Sequence, residues 1–289
     1  MKVEFNKVDF DSQLDRLIEL SLQEDLGHGD HSSLACIPKN KIFVNQLLIK
    51  EDCVFAGEDV ISAVFRKLDP GAVFVAFKQD GEKCSPGEVV YEVEANAHAL
   101  LAGERLMLNL VQRMCGIATY TSKLVSMIRH TNCKLLDTRK TTPLLRFLEK
   151  KAVVIGGGYN HRFGLYDMIM LKDNHIDIAG SITKAVQATR AYLMKNNLDL
   201  KIEVECRNFA EVEEAIQLQS VDRIMFDNFT PEMIVKALEI VKGSAETEAS
   251  GGITEDNLKA YAETGVDYIS IGALTHSVKA IDISFKAKK

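Results

Sequence analysis

No part of this 289-residue chain approaches the roughly 18 consecutive apolar residues that a membrane-spanning helix needs, so no transmembrane segment is expected. The start, MKVEFNKVDFDSQLDRL, mixes charged with apolar residues and lacks the apolar core of a signal peptide. Cys36, Cys53, Cys84, Cys115, Cys133 and Cys206 form no CxxC pair. That scatter argues against a structural zinc site and fits reduced thiols in the cytoplasm. Excess positive charge is also missing. A net charge of −6 and a pI of about 5.7 argue against general nucleic-acid binding, which needs a basic face. What is left is an ordinary soluble globular composition, long enough for two domains or for one large barrel with an appendage.

Two rhythms follow one another along the chain. Residues 10–25 place Leu14, Leu17, Ile18 and Leu22 at helical spacing. Between residues 42 and 95, the β-rich runs FVNQLLIK, AVFVAFK and EVVYEVE are separated by DPG, QDGEK and SPGE turn signals, with GEDVISAVFRKL as an intervening helix. A long helix is expected from about residue 97 to 129, with Gly103 and Gly116 as irregularities. This first half reads as α+β.

The second half alternates. Six strand-like runs (CKLLDT, YDMIMLK, KIEVEC, DRIMFDN, AETEAS and DYISIGA) are each followed by a helical pattern, which predicts a parallel sheet wound with helices. Six βα units fall short of the usual eight, so the expected fold is an open six-stranded α/β barrel, with a doubly wound open sheet as the alternative. The expected domains are an N-terminal α/β unit over residues 1–115 and the barrel over 116–275, with the tail 276–289 packing on the former.

Barrel chemistry sits where strands end and helices begin. The stretch from Asp137 to His175 holds seven Lys or Arg against four Asp or Glu, inside an acidic protein. Thr138, Arg139 and Lys140 end the first strand, and Lys172 ends the second, with His161 and Arg162 beside glycines between them. Arginine binds carboxylates bidentately, so this cluster points to a ligand with more than one carboxylate. Lys150 and Lys151 are expected on a solvated helix face. Glu205 and Asp227 end the third and fourth strands and suit a sugar diol, Mg²⁺, or both. Helix capping is an equal alternative for Asp227. Ser250-Gly251-Gly252 and Ile271-Gly272-Ala273 close the last two strands; opening into helices, they would offer backbone N–H groups to a phosphate. The sum is a phosphorylated ribose meeting an acidic acceptor.

The motifs LNLVQRMCGIAT, LLDTRKTTP, GGGYNHRFGLYDMIMLKDNHI, EVEC, DRIMFDN, EASGGI and VDYISIGALTHS resemble those of the quinolinate phosphoribosyltransferases (nicotinate-nucleotide pyrophosphorylases), in order and spacing, from EDLGHGD onward. The resemblance implies an N-terminal sandwich joined to an open α/β barrel, working as a homodimer or an assembly of dimers. It implies phosphoribosyl transfer from phosphoribosyl pyrophosphate to quinolinate, with decarboxylation and with Mg²⁺. By position, Arg139, His161, Arg162 and Lys172 would hold quinolinate, with Arg105 arriving from the neighbouring subunit. Lys140 would face the pyrophosphate, Glu205 and Asp227 the ribose hydroxyls and the metal. Thr138 and the two glycine turns would take the rest of the phosphoribosyl donor. Leu144 stands where the family commonly has glycine, and Val154-Ile155 replaces a frequent Arg-Cys or Arg-Thr. Two other activities fit the residues: a related transferase with another pyridine acceptor, and a Schiff-base aldolase using Lys172. A non-catalytic binding module is disfavoured by polar groups at all six strand ends.

Overall fold

A computed structural model describes residues 7–288. The chain forms two compact units. The first takes the chain as far as Ser122, then Thr141–Gly157, and the C-terminal stretch from Leu274. The second comprises Lys123–Lys140 and Gly158–Ala273.

The chain begins with α1 (Lys7–Leu26), α2 (His31–Cys36), β1 (Ile42–Ile49), β2 (Cys53–Val54), α3 (Glu58–Leu68), β3 (Val73–Ala76), β4 (Lys83–Cys84), β5 (Val89–Asn96) and α4 (Ala97–Ile128). Phe10, Leu14 and Ile18 of α1 are buried, one helical turn apart. On β1 the alternate residues Asn45, Leu47 and Ile49 point inward. α4 runs unbroken through Gly103 and Gly116, which are therefore not irregularities. Gly116 is a place of close approach, since a methyl group there would strike the backbone carbonyl of Lys279.

The chain continues with β6 (Lys134–Leu136), α5 (Arg146–Ile155), β7 (Ile169–Leu171), α6 (Asp173–Ala179), α7 (Ile182–Asn196), β8 (Ile202–Cys206), α8 (Phe209–Ile216), β9 (Arg223–Asp227), α9 (Pro231–Val241), β10 (Glu246–Ser250), α10 (Leu258–Ala262), β11 (Tyr268–Ser270), α11 (Ala273–His276) and β12 (Ile283–Ala287). In the first unit β12 joins an antiparallel sheet of order β12-β1-β5-β3. In the second, six strands form a parallel sheet of order β6-β11-β10-β9-β8-β7. β6 and β7 are consecutive in sequence yet lie at opposite edges, so the barrel stays open. Tyr159 takes up the free edge of β6: its N–H donates to the Leu135 carbonyl (2.8 Å), and its own carbonyl accepts from Asp137 (3.1 Å). The crossover helices start on side-chain caps, Ser181 for α7, Asn208 for α8 and Thr230 with Pro231 for α9.

Helix α5 overturns one expectation. Lys150 is fully buried, as is its neighbour Glu149, because the helix is covered on most sides by the first unit. Glu149 accepts from Arg113 (2.8 Å) and from the Thr142 backbone. Lys151 pairs with Asp59 and sits 4.5 Å above the Phe10 ring. Neither lysine is a solvated surface charge.

Leu144 has φ 66° and is 80% exposed. The left-handed conformation costs a non-glycine residue about 1–2 kcal/mol, which is a physical reason for glycine at this position. Little packing is lost with this side chain. Leu144→Gly should therefore raise stability by about 0.5–1 kcal/mol after the entropy penalty of glycine, measured as a higher urea midpoint at unchanged slope. A lower midpoint would show that the leucine makes a contact that outweighs its strain.

Candidate active site

Side chains alternate along a strand, so one face of the second sheet carries Glu203 and Glu205 (β8), Arg223, Met225 and Asp227 (β9), Glu246, Glu248 and Ser250 (β10), and Tyr268 and Ser270 (β11). Branched apolar residues usually fill a βα barrel; this one is filled with charge. Arg223 Nη1 lies 2.9 Å from Glu248, and Nη2 lies 3.2 Å from Glu246. The guanidinium stacks 4.1 Å from the Tyr268 ring, whose hydroxyl donates to Glu246 (3.1 Å). Above Arg223, His161 Nε2 lies 3.1 Å from Glu203 and 3.5 Å from Glu248, both fully buried.

Burial alone would lower the His161 pKa, but Glu248 and Glu203 together push it up to about 10. The Arg162 backbone N–H donates to His161 Nδ1 (2.7 Å), which ties the ring to the backbone of the next residue. His161, Glu203 and Glu248 therefore titrate as one cluster rather than as separate groups. Burial and the charge of Glu248 push Glu203 up in the same way.

At the carboxyl ends of these strands opens a cavity of about 640 Å³. Its walls include Thr138, Arg139, Lys140, His161, Arg162, Lys172, Glu205, Asp227, Ser250, Gly251 and Gly252, so the structure gathers these predicted residues into one site. Asp137 shapes the approach, accepting from the His161 N–H (2.9 Å) and from Asn160 Nδ2 (2.5 Å). Burial, and then the neighbouring Arg139 charge, lower the pKa of Arg162. Cations gathered on one cavity wall call for an anion. Lys172 Nζ donates to Glu205 (3.2 Å), so its amine is engaged by a carboxylate within the cavity wall.

Capping does not explain Asp227, because Thr230 caps α9 by accepting from the Met233 N–H (3.3 Å). Asp227 instead faces the cavity, braced by Asn228 Nδ2 (2.9 Å). The SGG turn also differs from expectation. α10 begins only at Leu258, so the glycines open into a loop, which Asn257 ties by donating to the Gly252 carbonyl (3.1 Å). Ile271, Gly272 and Ala273 are not among the cavity residues. The Ile271 N–H is committed to the Leu136 carbonyl (3.0 Å), and β11 contributes Ser270 instead. Arg105 is exposed on α4 in the first unit and does not line this cavity.

Asn228, which with Asp227 ends the fourth strand as the sequence placed it, lines the cavity, and so do Met170, Met225 and Ser270, which had not been singled out. Glu203, Glu248 and Arg223 beneath it were missed as well. Period-two spacing from Lys172, Glu205, Asp227 and Ser250 would have found most of them.

Fold and site define an α/β-barrel protein that takes a polyanionic small molecule at the carboxyl ends of its strands. Residues 30–115 match the N-terminal domain, and residues 117–286 the C-terminal domain, of quinolinate phosphoribosyl transferase. The chain is 42% identical to the chloroplastic nicotinate-nucleotide pyrophosphorylase (carboxylating) of Arabidopsis thaliana, over 94% of its own length and 82% of the relative's. It is 45% identical to a probable nicotinate-nucleotide pyrophosphorylase (carboxylating) of Bacillus subtilis, covering 94% and 92%. The solved structure of NadC from Streptococcus pyogenes superposes with a TM-score of 0.90 at 39% identity, covering 95% of each chain. The chain belongs to the quinolinate phosphoribosyl transferase family.

Gly251 has φ 92°, and a methyl group there would run into the Asn228 carboxamide. Asn228 is fixed in turn by its N–H donating to the Ser250 carbonyl (2.8 Å). Gly251→Ala should destabilise the fold by about 1–3 kcal/mol, read from denaturant unfolding. An unchanged midpoint would mean that the turn relaxes freely.

Proposed function

We propose that this chain transfers the phosphoribosyl group of phosphoribosyl pyrophosphate to the ring nitrogen of quinolinate, with decarboxylation. The products are nicotinate mononucleotide, pyrophosphate and CO2, a step in NAD biosynthesis. The observation that carries the assignment is one cavity with Arg139, Arg162 and Lys172 together with Glu205, Asp227 and the Ser250-Gly251-Gly252 turn. A dicarboxylate fits the cations, and a ribose phosphate fits the carboxylates and the glycines.

Arg139, Arg162 and Lys172 hold the two ring carboxylates, with His161 in the pocket wall, and so fix the ring nitrogen toward the anomeric carbon. Glu205 and Asp227 take the ribose hydroxyls. Ser250, Gly251 and Gly252 take the 5′-phosphate, while Thr138 and Lys140 face the pyrophosphate. Charge develops on the leaving pyrophosphate as the sugar becomes cationic, so the preorganised Lys140 ammonium stabilises the transition state without a protein nucleophile. The quaternary ring nitrogen then draws in the electron pair of the C2–carboxylate bond, CO2 departs, and a proton returns to C2.

Glu205 and Asp227, hard oxygen donors on neighbouring strands, fit Mg²⁺, which takes one or two carboxylates together with substrate phosphates. Bound there, Mg²⁺ would neutralise the leaving pyrophosphate. We further propose a homodimer, or an assembly of dimers, in which exposed Arg105 completes the quinolinate pocket of a neighbouring copy. No helix among the described residues is long and apolar enough to cross a membrane. The six free cysteines, four of them buried, support a reducing compartment, for which we propose the cytoplasm.

Incubation with quinolinate and phosphoribosyl pyrophosphate should release pyrophosphate and CO2 together. Turnover with nicotinate but not quinolinate would overturn the assignment. Arg139→Ala should lower kcat/KM for quinolinate by about tenfold to a hundredfold, since a charge-assisted hydrogen bond contributes about 1.5–3 kcal/mol. Near-normal kinetics would remove Arg139 from the pocket. Mixing inactive Arg105→Ala and Lys172→Ala chains should restore part of the activity through hybrid sites. Proven subunit exchange with no recovery would exclude a shared site.

A further inference from the structure

We infer that the buried ionic core belongs to the quinolinate-binding machinery: Glu203, Glu248 and Arg223 are positioning residues that clamp His161, and His161 in turn fixes Arg162. The inference rests on the quinolinate transfer proposed above and adds residues to the pocket it describes.

Each link is a short polar contact. Glu246 and the Tyr268 ring hold Arg223 at the lower end of the barrel interior. Arg223 reaches Glu248 at 2.9 Å, and Glu248 and Glu203 reach His161 Nε2 at 3.5 and 3.1 Å. On its other edge, His161 Nδ1 accepts the Arg162 backbone N–H at 2.7 Å. Both ring nitrogens are thus engaged within the protein, and His161 acts on the ligand by setting the backbone from which Arg162 reaches into the cavity. Asp137 grips the same segment through the His161 N–H. Arg162 is buried and its guanidinium donates separately to the Met168 carbonyl (3.4 Å), so the clamp sets the backbone from which that held side chain extends.

A bound metal is the rival account, since ligand atoms of His161, Glu203 and Glu248 lie within 4.8 Å of one another. Arg223 already supplies a cation 2.9 Å from Glu248, and a second one would meet like-charge repulsion in a poorly solvated interior.

Glu248→Gln preserves shape and removes the charge. It should raise KM for quinolinate about tenfold, while KM for phosphoribosyl pyrophosphate stays within about twofold. A purely structural role would lower the amount of active enzyme and leave both KM values unchanged, and that outcome overturns the inference, as does an equal rise in both. Wild-type enzyme assayed in parallel separates the two levels. If it does not turn over quinolinate, the function fails; if it does and the variant's KM values match it, only the clamp fails. Should the variant not fold, nitrogen NMR of histidine-labelled wild-type protein decides. The protonation pattern of the His161 ring should be the same with and without quinolinate. A change of tautomer on adding quinolinate, or one equivalent of metal in the purified protein, would overturn the clamp.

Discussion

A barrel interior filled with charge has to compensate every charge locally, and this constraint governs the second unit. Removing one partner of a buried ion pair typically costs about 3–5 kcal/mol, because the other is left without solvent or counter-charge. Arg223, Glu203, Glu248 and His161 are all within 8% exposure, so none can turn to water for relief. An apolar filling would pack as well and would not carry that penalty. What the charged column provides is direction: its members lie within ion-pair distance of one another from Arg223 up to His161 in the cavity wall.

In the cavity the balance reverses. Arg139 and Arg162 are two cations close together, and burial already disfavours the charge on Arg162. A ligand with two adjacent carboxylates relieves both guanidiniums at once, whereas a single carboxylate leaves one of them poorly compensated. The pocket is therefore a selectivity device as well as a binding site, because the repulsion among its cations is lifted most by a dianion. Glu205 works in the opposite sense, pairing with Lys172 at 3.2 Å and supplying a counter-charge on that side.

The architecture was legible because the strand runs are short and alternate with helices, of which α7, α8 and α9 begin on side-chain caps. All six barrel strands appear where CKLLDT, YDMIMLK, KIEVEC, DRIMFDN, AETEAS and DYISIGA place them. Much of the cavity wall was legible for the same reason, since a polar residue at the end of a buried strand has few structural excuses. Three things were hidden. Helix burial cannot be read from charge, so Lys150 looked solvated. Backbone N–H groups carry no sequence label, so the role of Ile271 in the sheet was invisible and the turn looked like a phosphate cradle. The ionic core escaped because an isolated Glu in IEVEC or ETEAS is read as a surface position unless both sheet faces are known to be covered.

That last miss has a general physical content. In this parallel sheet the strands alternate instead of being apolar throughout, so their apolar members share one face and their polar members the other. IEVEC and ETEAS each carry two carboxylates at spacing two, and RIMFD carries an arginine four residues before an aspartate. Three neighbouring strands with that pattern cannot all be edge strands, so their charges must meet in one enclosed space and neutralise one another there. The upper member of each set, Glu205, Asp227 and Ser250, then reaches the cavity, and the lower members form its foundation. Catalytic and structural charge are in this way successive layers of one column.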